Sequence, residues 1–262
     1  MKHTLADGVR LEYTIQGDEG APALLLLNAL GTEMSMWEGQ LDAFSTTHRV
    51  VRFDQRGQGA SDSPPGPYSI EILGTDAIDL MDALGIGRFS ICGLSMSGLT
   101  AMWMAAMHPD RVDRAVFADT AAVIGDASYW NERIEMVRTG GMAKIKDQVL
   151  ARFFTPRFID EDSEVVRRFT KMVVDAPPEG YIGGCTAVRD ADLRPLVPTI
   201  RIPSLIVTGA EDVSTPVRDG EWLHHRIDGS EFAVLKDAAH ISCAEQPRRF
   251  NEAVGRFLMG AG

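Results

Sequence analysis

Ser95 lies in Gly93-Leu94-Ser95-Met96-Ser97-Gly98, a near match to the spacing G-x-S-x-G in which Ser97 takes the last place and a glycine follows it. A serine hydroxyl is a weak nucleophile at neutral pH. It attacks a carbonyl when a base within hydrogen-bond reach takes its proton and an acid holds that base. Where a strand turns straight into a helix, the nucleophile occurs before the acid and the acid before the histidine. Asp212, in Gly209-Ala210-Glu211-Asp212, fits the acid and is followed by a helix start at Thr215-Pro216. His240, in Asp237-Ala238-Ala239-His240, fits the base. Glu211 and Asp119 are the other acids near a strand end, and Asp212 is preferred to both. The oxyanion of an acyl-transfer intermediate needs N–H donors aimed where charge develops. Met96, just after the serine, supplies one, and Leu30, on an early loop, is the choice for the other.

These residues work together only if strands and helices alternate so that their loops share one face. Residues 88–94 read as a short apolar strand, and 95–107 as a helix with Leu99, Met102, Trp103 and Met107 at helical spacing. The turn between them strains its corner residue, and Gly93 and Gly98 remove side chains that would collide there. Upstream, residues 2–16 predict a hairpin turning at Asp7-Gly8. A buried strand over 23–27 leads to Asn28-Ala29-Leu30-Gly31, and a helix with Trp37, Leu41 and Phe44 follows. A strand over 49–53, a helix over 69–84 and a strand over 115–118 complete this half. Between the last of these and Pro198 the pattern is helical only, with helices expected over 128–138, 141–153, 161–174 and 178–188. The alternation then resumes with strands at 204–208 and 231–235 and helices at 216–227 and 245–258. The fold class expected is therefore α/β, with a mostly parallel eight-stranded sheet flanked by helices. A core of residues 1–122 and 199–262 would carry a helical cap, 123–198, between the sixth and seventh strands.

The chain has 262 residues, 45% of them hydrophobic, which is ample for one large domain with an insertion. The net charge of −11 and the lack of a long basic run argue against nucleic acid or an anionic membrane as partner. The first residues, MKHTLADGVRLEY, have no apolar core of signal-peptide length, and no stretch is long and apolar enough to span a membrane. Cys92, Cys185 and Cys243 are odd in number and far apart, so neither a disulfide framework nor a metal site is indicated. A cytoplasmic location is expected. Asp54, Arg56, Gly57, Gly59 and Ser61 read as a tight structural loop, with Asp54 and Arg56 pinning it by hydrogen bonds.

The elbow, the acid, the late histidine and the Asp54–Ser61 loop together resemble the α/β-hydrolase superfamily over essentially the whole chain. Within it the chain is similar to the 3-oxoadipate enol-lactone hydrolases. That resemblance rests on Asn28-Ala29-Leu30-Gly31, Gly93-Leu94-Ser95-Met96, Asp119-Thr120-Ala121-Ala122 and Ala239-His240-Ile241-Ser242, and on two cap segments. The segments are Trp130-Asn131-x-Arg133 and the run from Gly180 and Tyr181 through Cys185 and Arg189 to Arg194. Two positions depart from the family pattern: Ser97, where a second glycine is usual, and Asp119, where Asn is. The resemblance implies a five-membered enol-lactone bearing an acetate arm, a small anionic substrate, and no cofactor or metal. The arm calls for a cation, and a guanidinium suits a carboxylate. Arg133 or Arg189 is the candidate, with Trp130 shaping an apolar wall. Other readings left open are another carboxylesterase or lactonase, a C–C bond hydrolase of the same fold, and a ligand receptor on the same scaffold. Dehalogenases and epoxide hydrolases of this fold use Asp where this chain has Ser95.

Overall fold

The computed structural model of the chain describes residues 1–161 and 163–260. Eight strands form one sheet: β1 (Lys2–Thr4), β2 (Arg10–Gln16), β3 (Ala23–Leu27), β4 (Arg49–Phe53), β5 (Phe89–Leu94), β6 (Val112–Ala118), β7 (Ser204–Gly209) and β8 (Glu231–Leu235). Their spatial order is β1-β2-β4-β3-β5-β6-β7-β8. The pairs β1–β2 and β2–β4 are antiparallel, and every later pair is parallel. Parallel neighbours need crossovers. α1 (Glu38–Phe44), α2 (Ile70–Ala83), α3 (Met96–Met107) and α9 (Val217–His224) supply them. β3, β5 and β7 are buried at every position, as strands covered on both faces must be. After β8 come the four-residue α10 (Ser242–Glu245) and α11 (Pro247–Leu258). Trp37, just ahead of α1, meets Phe250 of α11 with ring centroids 6.1 Å apart.

The insertion between β6 and β7 is helical: α4 (Ala127–Gly140), α5 (Lys146–Phe153), α6 (Pro156–Asp160), α7 (Glu164–Asp175) and α8 (Pro178–Arg189). Three of its details differ from the sequence pattern. The helix expected over 141–153 is a 3-10 turn at Met142–Lys144 and then α5, because Gly141 ends α4 at φ +66°. A short extra helix, α6, starts where the Thr155 hydroxyl accepts from the Phe158 N–H, with Pro156 in the first turn. The helix expected over 161–174 begins at Glu164, where Ser163 caps it; Asp162, within that expectation, lies outside the described residues. The closing helix also divides. Pro247 brings no N–H to continue α10, so Gln246 breaks the run and α11 starts afresh.

The cap is seated on the core by backbone contact. A Cβ on Gly180 of α8 would lie 2.1 Å from the carbonyl oxygen and 2.4 Å from the Cα of Gly57. Nothing flexible is available there to give way. Gly180→Ala is therefore expected to lift α8 from the core and to destabilise the fold by about 1–3 kcal/mol, as overpacking does. Thermal melting against wild type checks this, and an unchanged melting temperature would contradict the packing described.

Candidate active site

Ser95 sits between β5 and α3 with φ 61° and ψ −119°, a conformation costly for a residue with a Cβ. The surroundings impose it. Its N–H donates to the Ala118 carbonyl (3.0 Å), and its carbonyl accepts from the Gly98 N–H (2.8 Å) and the Thr120 hydroxyl (2.8 Å). A Cβ on Gly93 would lie 2.0 Å from the Ser97 carbonyl oxygen, and one on Gly98 would strike the Thr120 side chain at 2.5 Å. Both glycines are needed for the corner to close.

The structure brings Ser95, His240 and Asp212 into one hydrogen-bonded line. His240 Nε2 lies 2.8 Å from Ser95 Oγ, and His240 Nδ1 lies 2.8 Å from Asp212 Oδ2. Asp212 follows β7, and its carboxylate also accepts from the Ser214 N–H (2.7 Å), the Thr215 N–H (3.1 Å) and the Thr215 hydroxyl (2.7 Å). A carboxylate can only accept, so Nδ1 carries the proton and Nε2 is left to accept one from Ser95. Burial disfavours the charged imidazole. The charge of Asp212 and its hydrogen bond favour it by more, and the His240 pKa ends above its ordinary 6.5. Burial likewise opposes ionised Asp212, but His240 and Thr215 together hold its pKa below the usual carboxylate range.

Asp119 lies elsewhere in the network. It follows β6 at φ 43°, and its carboxylate accepts from the Gly209 N–H (2.8 Å), the Ser242 N–H (3.2 Å) and the Ser242 hydroxyl (2.6 Å). It ties the ends of β6 and β7 to the histidine loop. Burial and the nearby charge of Asp212 push its pKa well above the usual carboxylate range.

Leu30 and Met96 converge beneath α8, where a Cβ on Gly184 would meet Leu30 Cδ1 at 2.5 Å and Met96 Sδ at 3.3 Å. Met96 opens α3, so its N–H belongs to the first turn, which lacks intrahelical partners. The Leu30 loop is held from below. The Asn28 carbonyl accepts from the Ser97 hydroxyl and from Gln55 Nε2 (3.1 Å), and the Ala29 carbonyl accepts from Gln58 Nε2 (2.8 Å). Ser97, the departure from the family pattern, thus fastens this loop to the elbow helix. Asp54 accepts from the N–H groups of Met34 (2.7 Å) and Ala60 (2.9 Å), and Arg56 pairs with Asp76 and Asp7. That loop is a brace, tied by these bonds to its neighbours.

Ser95 and His240 open into a cavity of about 260 Å³ between core and cap. Trp130 and Arg133 line it as well. Trp130 donates through Nε1 to the Ile124 carbonyl (2.6 Å), and buried Arg133 donates to the Tyr129 hydroxyl (2.6 Å). Arg189 does not line it. Its guanidinium is taken up by Asp190 (2.7 and 2.8 Å) and Asn131 (2.9 Å) on the outer side of α8. Arg152, unremarked in the sequence, lies in the lining instead, its Cζ 4.7 Å from the centre of the Tyr129 ring. Among the described residues it has no carboxylate partner. Tyr181, from the second cap segment, lines the cavity too, and Tyr129 and Phe153 are further wall residues that the motif reading did not single out. Arg152 sits on a short amphipathic helix, where a cavity-facing arginine and a solvated one look alike in sequence.

A family model described as alpha/beta hydrolase fold matches residues 22–247. The chain is 43% identical to 3-oxoadipate enol-lactonase 2 of Acinetobacter baylyi, over 97% of this chain and 95% of that protein. It is 35% identical to 3-oxoadipate enol-lactonase 1 of the same organism, with the same coverage. Among solved structures, the enol-lactonase from Burkholderia xenovorans LB400 superposes with a TM-score of 0.97 at 40% identity, covering 99% of this chain and 100% of that one.

A base that must be neutral to act makes turnover rise with pH through its ionisation. The acidic limb of kcat/KM is expected above pH 6.5 in the wild type, because Asp212 raises the His240 pKa above that value. In Asp212→Asn the burial remains while the opposing charge is gone, so the limb should move to lower pH as the rate falls by about 10³–10⁴. A pH–rate profile of both proteins checks the sign, and an unmoved limb would refute the assignment.

Proposed function

The chain belongs to the alpha/beta hydrolase fold family and is an ester or lactone hydrolase, and from that premise we propose that it opens 3-oxoadipate enol-lactone to 3-oxoadipate in aromatic-compound catabolism. One observation carries the choice of substrate. The cavity over Ser95 has an apolar wall with two guanidiniums, Arg133 and Arg152, against one carboxylate, Asp126. Asp126 is already engaged as the cap of α4, accepting from the Tyr129 N–H at 2.9 Å. An anionic lactone of modest size suits that lining, and the similarity to two proteins named as enol-lactonases supports the same class.

In this reading Ser95 is the nucleophile, His240 the base and Asp212 the acid that orients it. As Ser95 attacks the lactone carbonyl, its proton passes to His240 Nε2, 2.8 Å away. The N–H groups of Leu30 and Met96 receive the oxyanion. Collapse breaks the ring C–O bond, and the departing enolate takes the proton from His240 and becomes a ketone. Water then gives a proton to His240 and attacks the acyl-enzyme. As the second tetrahedral intermediate collapses, His240 returns that proton to Ser95 Oγ and the carboxylic acid product leaves. Every proton and electron pair is accounted for by this chain and water, so the reaction calls for no metal or organic cofactor. Arg152 holds the acetate arm, Arg133 sets Tyr129 beneath it, and Trp130 closes the apolar side. The helical layer, 123–198, selects substrate, and the core, 1–122 with 199–262, performs the chemistry. A cytoplasmic location suits three buried cysteines, all free. Among the described residues no helix is long and apolar enough to cross a membrane.

Freshly generated 3-oxoadipate enol-lactone should be consumed by the wild type, and Ser95→Ala should lower kcat by at least about 10⁴-fold. If p-nitrophenyl acetate alone were cleaved, the chain would be a general carboxylesterase. Slow or absent turnover of both would favour a receptor. A second test concerns the arm. Arg152→Ala should raise KM for the lactone by about 10–100-fold, the worth of a charge-assisted pair, while leaving the uncharged ester nearly unaffected. Equal losses on both substrates would remove Arg152 from carboxylate recognition.

A further inference from the structure

The loop carrying His240 is tied to the cap on both sides of the imidazole. Ahead of it, the Ala239 N–H donates to Glu245 Oε2 at 2.9 Å. The same carboxylate accepts from the Thr155 N–H at 3.2 Å and from the Thr155 hydroxyl. Behind it, the Ile241 N–H donates to the Phe153 carbonyl at 2.9 Å. The Phe153 ring lies over the imidazole, with centroids 6.3 Å apart and planes at 27°. Two residues beyond Thr155, Arg157 reaches Glu211, next to Asp212, and Asp237, in the histidine loop, both at 3.3 Å. One short stretch, the junction of α5 and α6, therefore grips the loops of both the acid and the base.

Glu245 is chemically suited to the centre of this grip. It is buried, at 5% exposure, and three donors converge on it. An ionised carboxylate is acceptor-only and can serve all three, whereas an amide would turn an NH₂ against a donor. None of these bonds touches the reacting atoms. Their effect is geometric: they fix the 238–239 and 240–241 peptides on either side of His240, and hence where its Nε2 stands relative to Ser95 Oγ.

We propose that Thr155 and Glu245 are positioning residues that couple the cap to the base, so that the cap aligns His240 as well as selecting substrate. This rests on His240 being the base. Arg152 and Phe153, three and two residues before Thr155, line the cavity. A ligand that presses on them acts on the same junction, so occupancy of the cavity and alignment of the imidazole are mechanically linked.

The test compares Thr155→Val and Thr155→Ser in the full chain, well below the melting temperature, with Ser95→Ala as control. Valine keeps the volume and the backbone N–H but loses the hydroxyl that reaches Glu245. It should lower kcat for the lactone about tenfold, with KM within about twofold, as a small misplacement of a base does. Serine restores the hydroxyl and should return kcat to within about twofold of wild type. The low-field proton resonance of the His240–Asp212 hydrogen bond gives a readout independent of turnover. It should be sharp in the wild type and the Ser variant and shifted or broadened in the Val variant. Glu245→Gln should show the same pattern more strongly. A Val variant with wild-type kcat and an unchanged resonance would overturn the proposal. So would a loss that tracks melting temperature alone and is not rescued by serine. If Ser95→Ala retained turnover, the catalytic reading beneath the proposal would fail instead.

Discussion

The structure depends on a backbone constraint at one residue. Ser95 is held at positive φ because it is the one residue between the end of β5 and the start of α3. Such a conformation costs on the order of 1–3 kcal/mol and persists only where the surroundings over-determine it. Here they do. The Ala118 carbonyl at the end of β6 takes the Ser95 N–H, the Thr120 hydroxyl binds the Ser95 carbonyl, and the backbone of α3 occupies the space a side chain on Gly93 would need. The strain lifts the hydroxyl off the sheet edge toward His240. It also makes the ends of β6 and β7 and the Leu30 loop answerable to one point.

Charge in this molecule is arranged locally against a global field of the same sign as the proposed substrate. The chain carries a net −11, yet the cavity holds two guanidiniums and one carboxylate. The buried acids behind it are each given donors. Asp212 has Thr215 and His240, Asp119 has Gly209 and Ser242, and Glu245 has Thr155 and Ala239. Desolvation would otherwise push each of them toward the neutral form, and the pKa of Asp119 stays raised in spite of its donors.

How far the sequence could be read follows from which physical signals are local. The elbow was legible because its glycines and serine are neighbours in the chain. Asp212 and His240 were legible because each follows a recognisable strand in the order the fold requires. The alternating half of the fold and its helical insertion were legible from periodicity. The splitting at Gly141 and Pro247 carried a local signal that periodicity alone overrides, and so did the Thr155-Pro156 start of α6. Arg189 and Arg152 show the limit. Both are arginines on cap helices, and nothing in their flanking residues says that one would be engaged by Asp190 and Asn131 while the other faced the cavity. Orientation of a polar residue on a helix is decided by what packs beside it, and that is tertiary information.

The same distinction bears on what a cap is. If the helical layer were only a wall, its contacts with the core would fall on surfaces remote from Ser95 and His240. They do not. Gly184 of α8 rests on Leu30 and Met96, Gly180 rests on the Gly57 loop, and the stretch from Phe153 to Arg157 rests on both loops that flank the imidazole. A close glycine contact tolerates little displacement, since interiors pack densely and respond to small volume changes. Changing the cap therefore also shifts the elements that hold Ser95, His240 and the proposed oxyanion donors. A workable change of specificity is confined to residues that face the cavity without joining these seams. Tyr129 and Trp130 meet that condition better than any residue of α8 does.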